Sequence, residues 1–137
     1  MDALRNMLWK RQAGMRYAGM PSFCTANRYV IEACIRQAVR FDDDVLIEAT
    51  ANQVNQYGGY TGMQPADFRD FVYEIADGVG CPREKILLGG DHLGPLTWQN
   101  EPEAEAMAKW ITTRLSTIKC LAANRANSTS MSSMTAR

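Results

Sequence analysis

Val45-Leu46-Ile47-Glu48-Ala49-Thr50 and Ile86-Leu87-Leu88-Gly89-Gly90-Asp91-His92 are the two stretches that decide the fold of this chain. In the first, Val45 to Ala49 is a short apolar run with β-branched members, the pattern of a strand buried on both faces. In the second, Ile86-Leu87-Leu88 is a further buried strand, which ends in the polar loop Gly89-Gly90-Asp91-His92. Between them Pro65 suits the first position of a helix, and Asp67 sits near the positive end of its dipole. Phe68, Phe71, Val72, Ile75, Ala76 and Val79 form one apolar stripe of that helix, closed by Gly78 and Gly80.

Upstream, Ile31, Cys34, Ile35 and Ala38 recur at helical spacing, preceded by a brief strand around Ser22-Phe23-Cys24. Leu4 and Leu8 mark an opening amphipathic helix that ends near Gly14 and covers a core. Downstream, a helix should begin near Pro102 with Glu103 and Glu105 in its first turn. Helices and strands thus alternate, which predicts an α/β fold with a parallel sheet. Periodicity does not separate a doubly wound sheet from a (β/α)8 barrel over three units. A complete barrel takes about 250 residues, so a barrel here would lack more than half its staves.

The 137 residues fit one domain, and fifteen Lys plus Arg balance fifteen Asp plus Glu. That balance provides no basic field for nucleic acid or an anionic membrane. Without a long apolar run or a signal-like start, the chain is expected in the cytoplasm. Cys24, Cys34, Cys81 and Cys120 contain no CxxC pair and read as reduced, mostly buried thiols. Charge is uneven: residues 1–109 hold eleven cations and all fifteen acids, net −4, whereas 110–137 hold four cations and no acid. No Gly follows Gly94 and no Pro follows Pro102. Residues 110–137 are therefore set apart from 1–109 as an atypical tail, whose low-complexity run Asn127 to Thr135 is expected to be disordered.

In either α/β architecture, ligand groups gather at the carboxyl ends of the strands. Three ends can be placed. The first is Cys24-Thr25-Ala26-Asn27. The second runs from Glu48 into an amide-rich loop with Asn52, Gln53, Asn55 and Gln56, ending at Gly62; such amides can read sugar hydroxyls, or the loop is simply a solvated turn. The third holds Asp91 and His92, the only histidine, a pair able to supply an acid/base and a metal ligand. One histidine falls short of the three protein ligands usual in catalytic zinc sites. Gly89 and Gly94 have P-loop spacing, but Pro95-Leu96 replaces the Lys and Ser/Thr which that motif needs.

Four blocks resemble a known family: Val30-Ile31-Glu32-Ala33, Leu46 through Met63, Pro65-Ala66-Asp67-Phe68-Arg69, and Ile86 through Pro95. The family is the non-catalytic subunit of class II D-tagatose-1,6-bisphosphate aldolase, and the resemblance covers roughly Leu8 to Lys109. It implies a TIM barrel, here about the first three βα units with a disordered C-terminal tail. It also implies an accessory role beside a zinc-dependent catalytic aldolase subunit in galactitol and N-acetylgalactosamine catabolism. Carried over residue by residue, Asp91 would be the catalytic acid/base and His92 a metal ligand, with zinc implied but its site incomplete in this chain. The chemistry of the amide-rich loop, and not the resemblance, makes Glu48, Asn52, Gln53, Asn55 and Gln56 the expected substrate-binding residues.

Two departures stand out. Gln64 replaces the family's usual Thr ahead of Pro65, a weaker cap by about 1 kcal/mol. Beyond Lys109 the family's acidic helix and fourth strand are not recognisable, which suggests a truncated product with a frame-shifted or recombined end. The nucleotide sequence downstream of the Lys109 codon checks that expectation. The alternatives to an accessory subunit are a zinc-dependent aldolase in its own right, a tagatose-6-phosphate kinase, a label some family members carry, and an inactive relic.

Overall fold

The structure is a computed structural model and describes residues 3–15 and 19–132. Its elements alternate in the order α1 (Ala3–Gln12), β1 (Ser22–Cys24), α2 (Arg28–Phe41), β2 (Val45–Thr50), α3 (Pro65–Val79), β3 (Ile86–Asp91) and α4 (Glu103–Ser132). The strands form one parallel sheet ordered β1-β2-β3, with Cys24 opposite Glu48, Glu48 opposite Gly89, and Thr50 opposite Asp91.

Local chemistry sets the helix ends. The Asn27 side chain accepts hydrogen bonds from the backbone N–H of Tyr29 (3.0 Å) and Val30 (3.2 Å), capping α2. At the start of α3 the Asp67 carboxylate accepts from the Gln64 backbone N–H at 2.9 Å, so one capping bond is made despite the weaker residue at position 64. Gly80, at φ +77°, closes that helix in the left-handed conformation.

The core lies on one face of the sheet. Ile31, Cys34, Ile35 and Ala38 of α2 and Phe68, Val72, Ile75 and Ala76 of α3 pack on Val45, Ile47 and Ala49 of β2, as the periodicity predicts. Each fully buried aliphatic chain here contributes about 1.5–3 kcal/mol by leaving water. Half-buried Phe23 of β1 and Leu88 of β3 extend the same layer.

Two expectations are corrected. First, β2 is buried on one face only: Val45, Ile47 and Ala49 are buried, whereas Leu46, Glu48 and Thr50 alternate with them, half-buried, on a face that α2 and α3 do not cover and that is open among the described residues. Second, β3 does not end at Leu88 but continues through Gly89 and Gly90 to Asp91, because β2 supplies pairing partners as far as Thr50. Beyond Lys109 the described residues 110–132 continue helix α4. Helix α4 runs without a break to Ser132, since no Gly or Pro interrupts it. Its Ala106 and Thr113 are buried, and Thr117 and Cys120 half-buried, on the side facing α3 and β3. Residues 133–137, the end of the low-complexity run, lie outside the described residues. Leu8 of α1, expected to cover a core, is 49% exposed.

Candidate functional site

Strand parity and register bring one set of side chains together. Ser22 and Cys24 of β1, Leu46, Glu48 and Thr50 of β2, and Leu87, Gly89 and Asp91 of β3 share the uncovered face. Its carboxyl end is polar. The Ser22 hydroxyl donates to Glu48 Oε2 across the β1–β2 pair. Gly89 leaves room for this carboxylate: a Cβ there would lie 2.9 Å from Glu48 Cγ and Oε1.

The loop after β2 folds back over this end. Gln53 Oε1 accepts from the Thr50 backbone N–H at 2.8 Å and lies 3.8 Å from Cys24 Sγ. Partial burial first, then the neighbouring Asp91 and Glu48 carboxylates, pushes the Cys24 thiol up, so it remains a protonated donor at neutral pH. Asp91 ends β3 with its side chain 38% exposed.

The remaining predicted residues are placed elsewhere. Asn55 is buried and holds the loop together: its Nδ2 donates to Ala51 O at 2.8 Å, and its Oδ1 accepts from Tyr57 N at 2.8 Å and Gly59 N at 3.2 Å. Gln56 points to α4, donating to Lys109 O at 3.2 Å and accepting from the Thr113 hydroxyl. Asn52 is exposed, and its backbone carbonyl accepts from Tyr60 N at 2.9 Å. His92 follows β3 at φ +48° with its side chain 83% exposed and Nε2 3.6 Å from Asp91 Oδ1.

The structure thus gathers Glu48, Gln53 and Asp91, and adds Cys24 and Thr50, placed at strand ends by the sequence but given no role there, and Ser22, which the sequence did not single out as a site residue. Counting by twos from Glu48 and Asp91 within each strand would have found Thr50, because period-two alternation fixes the face. Among the described residues no group of three or more His, Cys, Asp or Glu is placed to hold a metal, so a zinc site does not fit this chain's donors by themselves. Nor is any strand residue on the uncovered face a Lys or Arg. The face can accept and donate hydrogen bonds to a polyhydroxylated molecule but has no strand cation to neutralise a phosphate.

A parallel α/β unit with its polar groups at the carboxyl ends of three consecutive strands defines the class, and comparison with known proteins defines the family. The model of the GatZ/KbaZ-like D-tagatose-1,6-bisphosphate aldolase subunits matches residues 4–117. The chain belongs to this family, one of carbohydrate metabolism. The match runs beyond Lys109 to Thr117, so the first turns of the segment set apart as atypical are family-like.

Among curated relatives, the D-tagatose-1,6-bisphosphate aldolase subunit GatZ of Salmonella paratyphi B is 57% identical over 106 residues, 77% of this chain and 25% of its own length. GatZ of Klebsiella pneumoniae is 56% identical over 108 residues, 79% of this chain and 25% of its own. A crystal structure of a probable tagatose 6 phosphate kinase from Sinorhizobium meliloti superposes with a TM-score of 0.73 at 56% identity, covering 75% of this chain and 27% of that one. The chain therefore spans about a quarter of the relatives it matches.

Proposed function

We propose that this chain supplies the opening three βα units of a TIM-barrel accessory subunit, which supports a catalytic tagatose-bisphosphate aldolase in the cytoplasm. The identity of 57% over 77% of the chain to subunits of that name carries this reading. The uncovered sheet face agrees with it, because parallel sheets are ordinarily covered on both sides and a barrel closes this face inward. In the same proposal Glu48, Gln53 and Asp91 line the ligand side, with Asp91 handling protons, while Asn55 and Gln56 act by shaping the loop. His92 alone cannot hold zinc, and the accessory role asks no metal chemistry of this chain. A self-sufficient bisphosphate aldolase is disfavoured by the lack of strand cations on the face. A P-loop kinase is disfavoured by Pro95-Leu96, which opens a short 3-10 turn, Pro95–Trp98, where that motif carries its Lys.

The test is a cleavage assay of tagatose-1,6-bisphosphate by the purified catalytic subunit with and without this chain, alongside co-sedimentation of the two. The proposal expects complex formation and a rate above that of the catalytic subunit alone. Absence of both, with a chain shown by circular dichroism to be folded, rejects it.

A further inference from the structure

Helix α4 carries two apolar stripes on opposite sides. The inner stripe, marked by buried Ala106 and Thr113, is covered by α3 and β3. The outer stripe is Ala104, Ala108, Ile111, Leu115 and Ile118, whose 4-3-4-3 spacing is that of a coiled-coil seam. All five are exposed, Ile111, Leu115 and Ile118 at 50, 51 and 53%. The inner stripe already docks the helix to its own domain, so the outer one serves no packing within the described fold.

The charges beside this seam are segregated along the helix. Glu103 and Glu105 flank the start of the seam, Arg114 and Lys119 flank it past Ile111, Lys109 between them is paired with Glu101, and no acidic residue follows Glu105. A seam flanked by acids at its start and by cations at its end complements itself only when reversed.

We propose that α4 docks along this seam onto α4 of a second copy of the chain, antiparallel, with the two-fold axis passing beside Ile111. Ile111 then meets its own counterpart, and small Ala108 and Ala104 face Leu115 and Ile118 of the second copy, an alternation of small and large that interdigitates. Glu105 comes alongside Lys119 of the second copy, and Glu103 within reach of Arg114; the symmetry makes each pairing twice. A parallel arrangement would set acid beside acid and cation beside cation. The seam from Ala104 to Ile118 spans about 21 Å at 1.5 Å per residue, so the association is short, concentration-dependent and weakened by salt. This inference rests on α4 alone and is independent of the accessory-subunit reading.

Sedimentation equilibrium of the 137-residue chain over a broad concentration range tests it. The apparent mass should climb from 15.3 kDa towards twice that value. Leu115→Glu should hold the chain monomeric with an unchanged circular dichroism spectrum. Lys119→Glu should weaken association severalfold, and adding Glu105→Lys to the same chain should restore it. A chain monomeric throughout, a dimer indifferent to Leu115→Glu, or a charge reversal without rescue overturns the proposal. So does a seam that becomes protected only when the catalytic aldolase subunit is added.

Discussion

The Thr113 hydroxyl donates to the side-chain oxygen of Gln56, 57 residues earlier in the chain, and also lies 3.0 Å from Lys109 O. Gln56 Nε2 donates in turn to Lys109 O at 3.2 Å. This pair fastens the loop after β2 to the helix after β3, so it ties the second strand end to the third. Thr113 is wholly buried, which makes the bond costly to lose.

Thr113→Val keeps the shape and removes the donor, leaving Gln56 Oε1 without it. The expected loss is about 1–3 kcal/mol, read as a lower urea midpoint with an unchanged slope. A midpoint equal to that of the parent chain would show that α4 is not docked on the loop in solution.

The same loop turns on Gly59, at φ +54°, where a Cβ would stand 2.3 Å from Gln53 O. Gly62 has a comparable φ of +79° but open space around it. Gly59→Ala should therefore combine backbone strain with a collision and cost well above the roughly 1 kcal/mol expected for Gly62→Ala. Urea unfolding of both variants checks the order. Equal losses would remove the collision from the account.

How much of this was open to sequence reasoning depends on which residues carried the signal. Helices α2 and α3 and strand β2 were legible because Ile31, Ile35, Phe68, Val72 and Ile47 are both apolar and periodic, and burial follows such patterns directly. Strand β3 was read too short because Gly89 and Gly90 resemble turn formers; what holds them extended is pairing with Glu48 and Ala49, a long-range fact. The docking of α4 was missed because its most buried residue is a threonine, polar by composition and satisfied only by Gln56 and Lys109. The amide-rich loop shows the same limit: composition cannot tell Gln53, which reaches the sheet's polar end, from Asn55, whose amide holds the loop's backbone.

Lys85 ties the start of β3 to the end of α2 through the Asp42 carboxylate and, at 3.0 Å, the Asp42 carbonyl. This hydrogen bond holds the Asp42 carboxyl below its ordinary 3.8 and the Lys85 ammonium above its ordinary 10.5. Asp42, with a depressed folded value, contributes stability above pH 3.8 that fades as pH falls through that lower value. Lys85, with a raised one, contributes stability below pH 10.5 that fades as pH rises through its folded value. The difference in thermal midpoint between the parent chain and Lys85→Met should be level between these limits and shrink beyond either. Because Asp42 is almost fully exposed, salt should shrink it too. A difference unchanged down to strongly acidic pH would show that packing of the lysine stem, and not the ion pair, is what matters.

Gly89 and Glu48 make the sharpest claim about the uncovered face, since the carboxylate occupies the space a side chain at position 89 would need. Gly89→Ala must push Glu48 aside and break its bond from Ser22, whereas in a Glu48→Ala background the added methyl group meets far less. The double-mutant cycle should give a coupling of about 0.5–3 kcal/mol, the double variant losing less than the two single losses combined. If Glu48 also faces the ligand of the assembled barrel, Gly89→Ala should reduce stimulation of the catalytic subunit even at temperatures where the variant is fully folded. Additive stabilities would mean that the two positions do not touch, and the register that sets Glu48 opposite Gly89 would have to be redrawn.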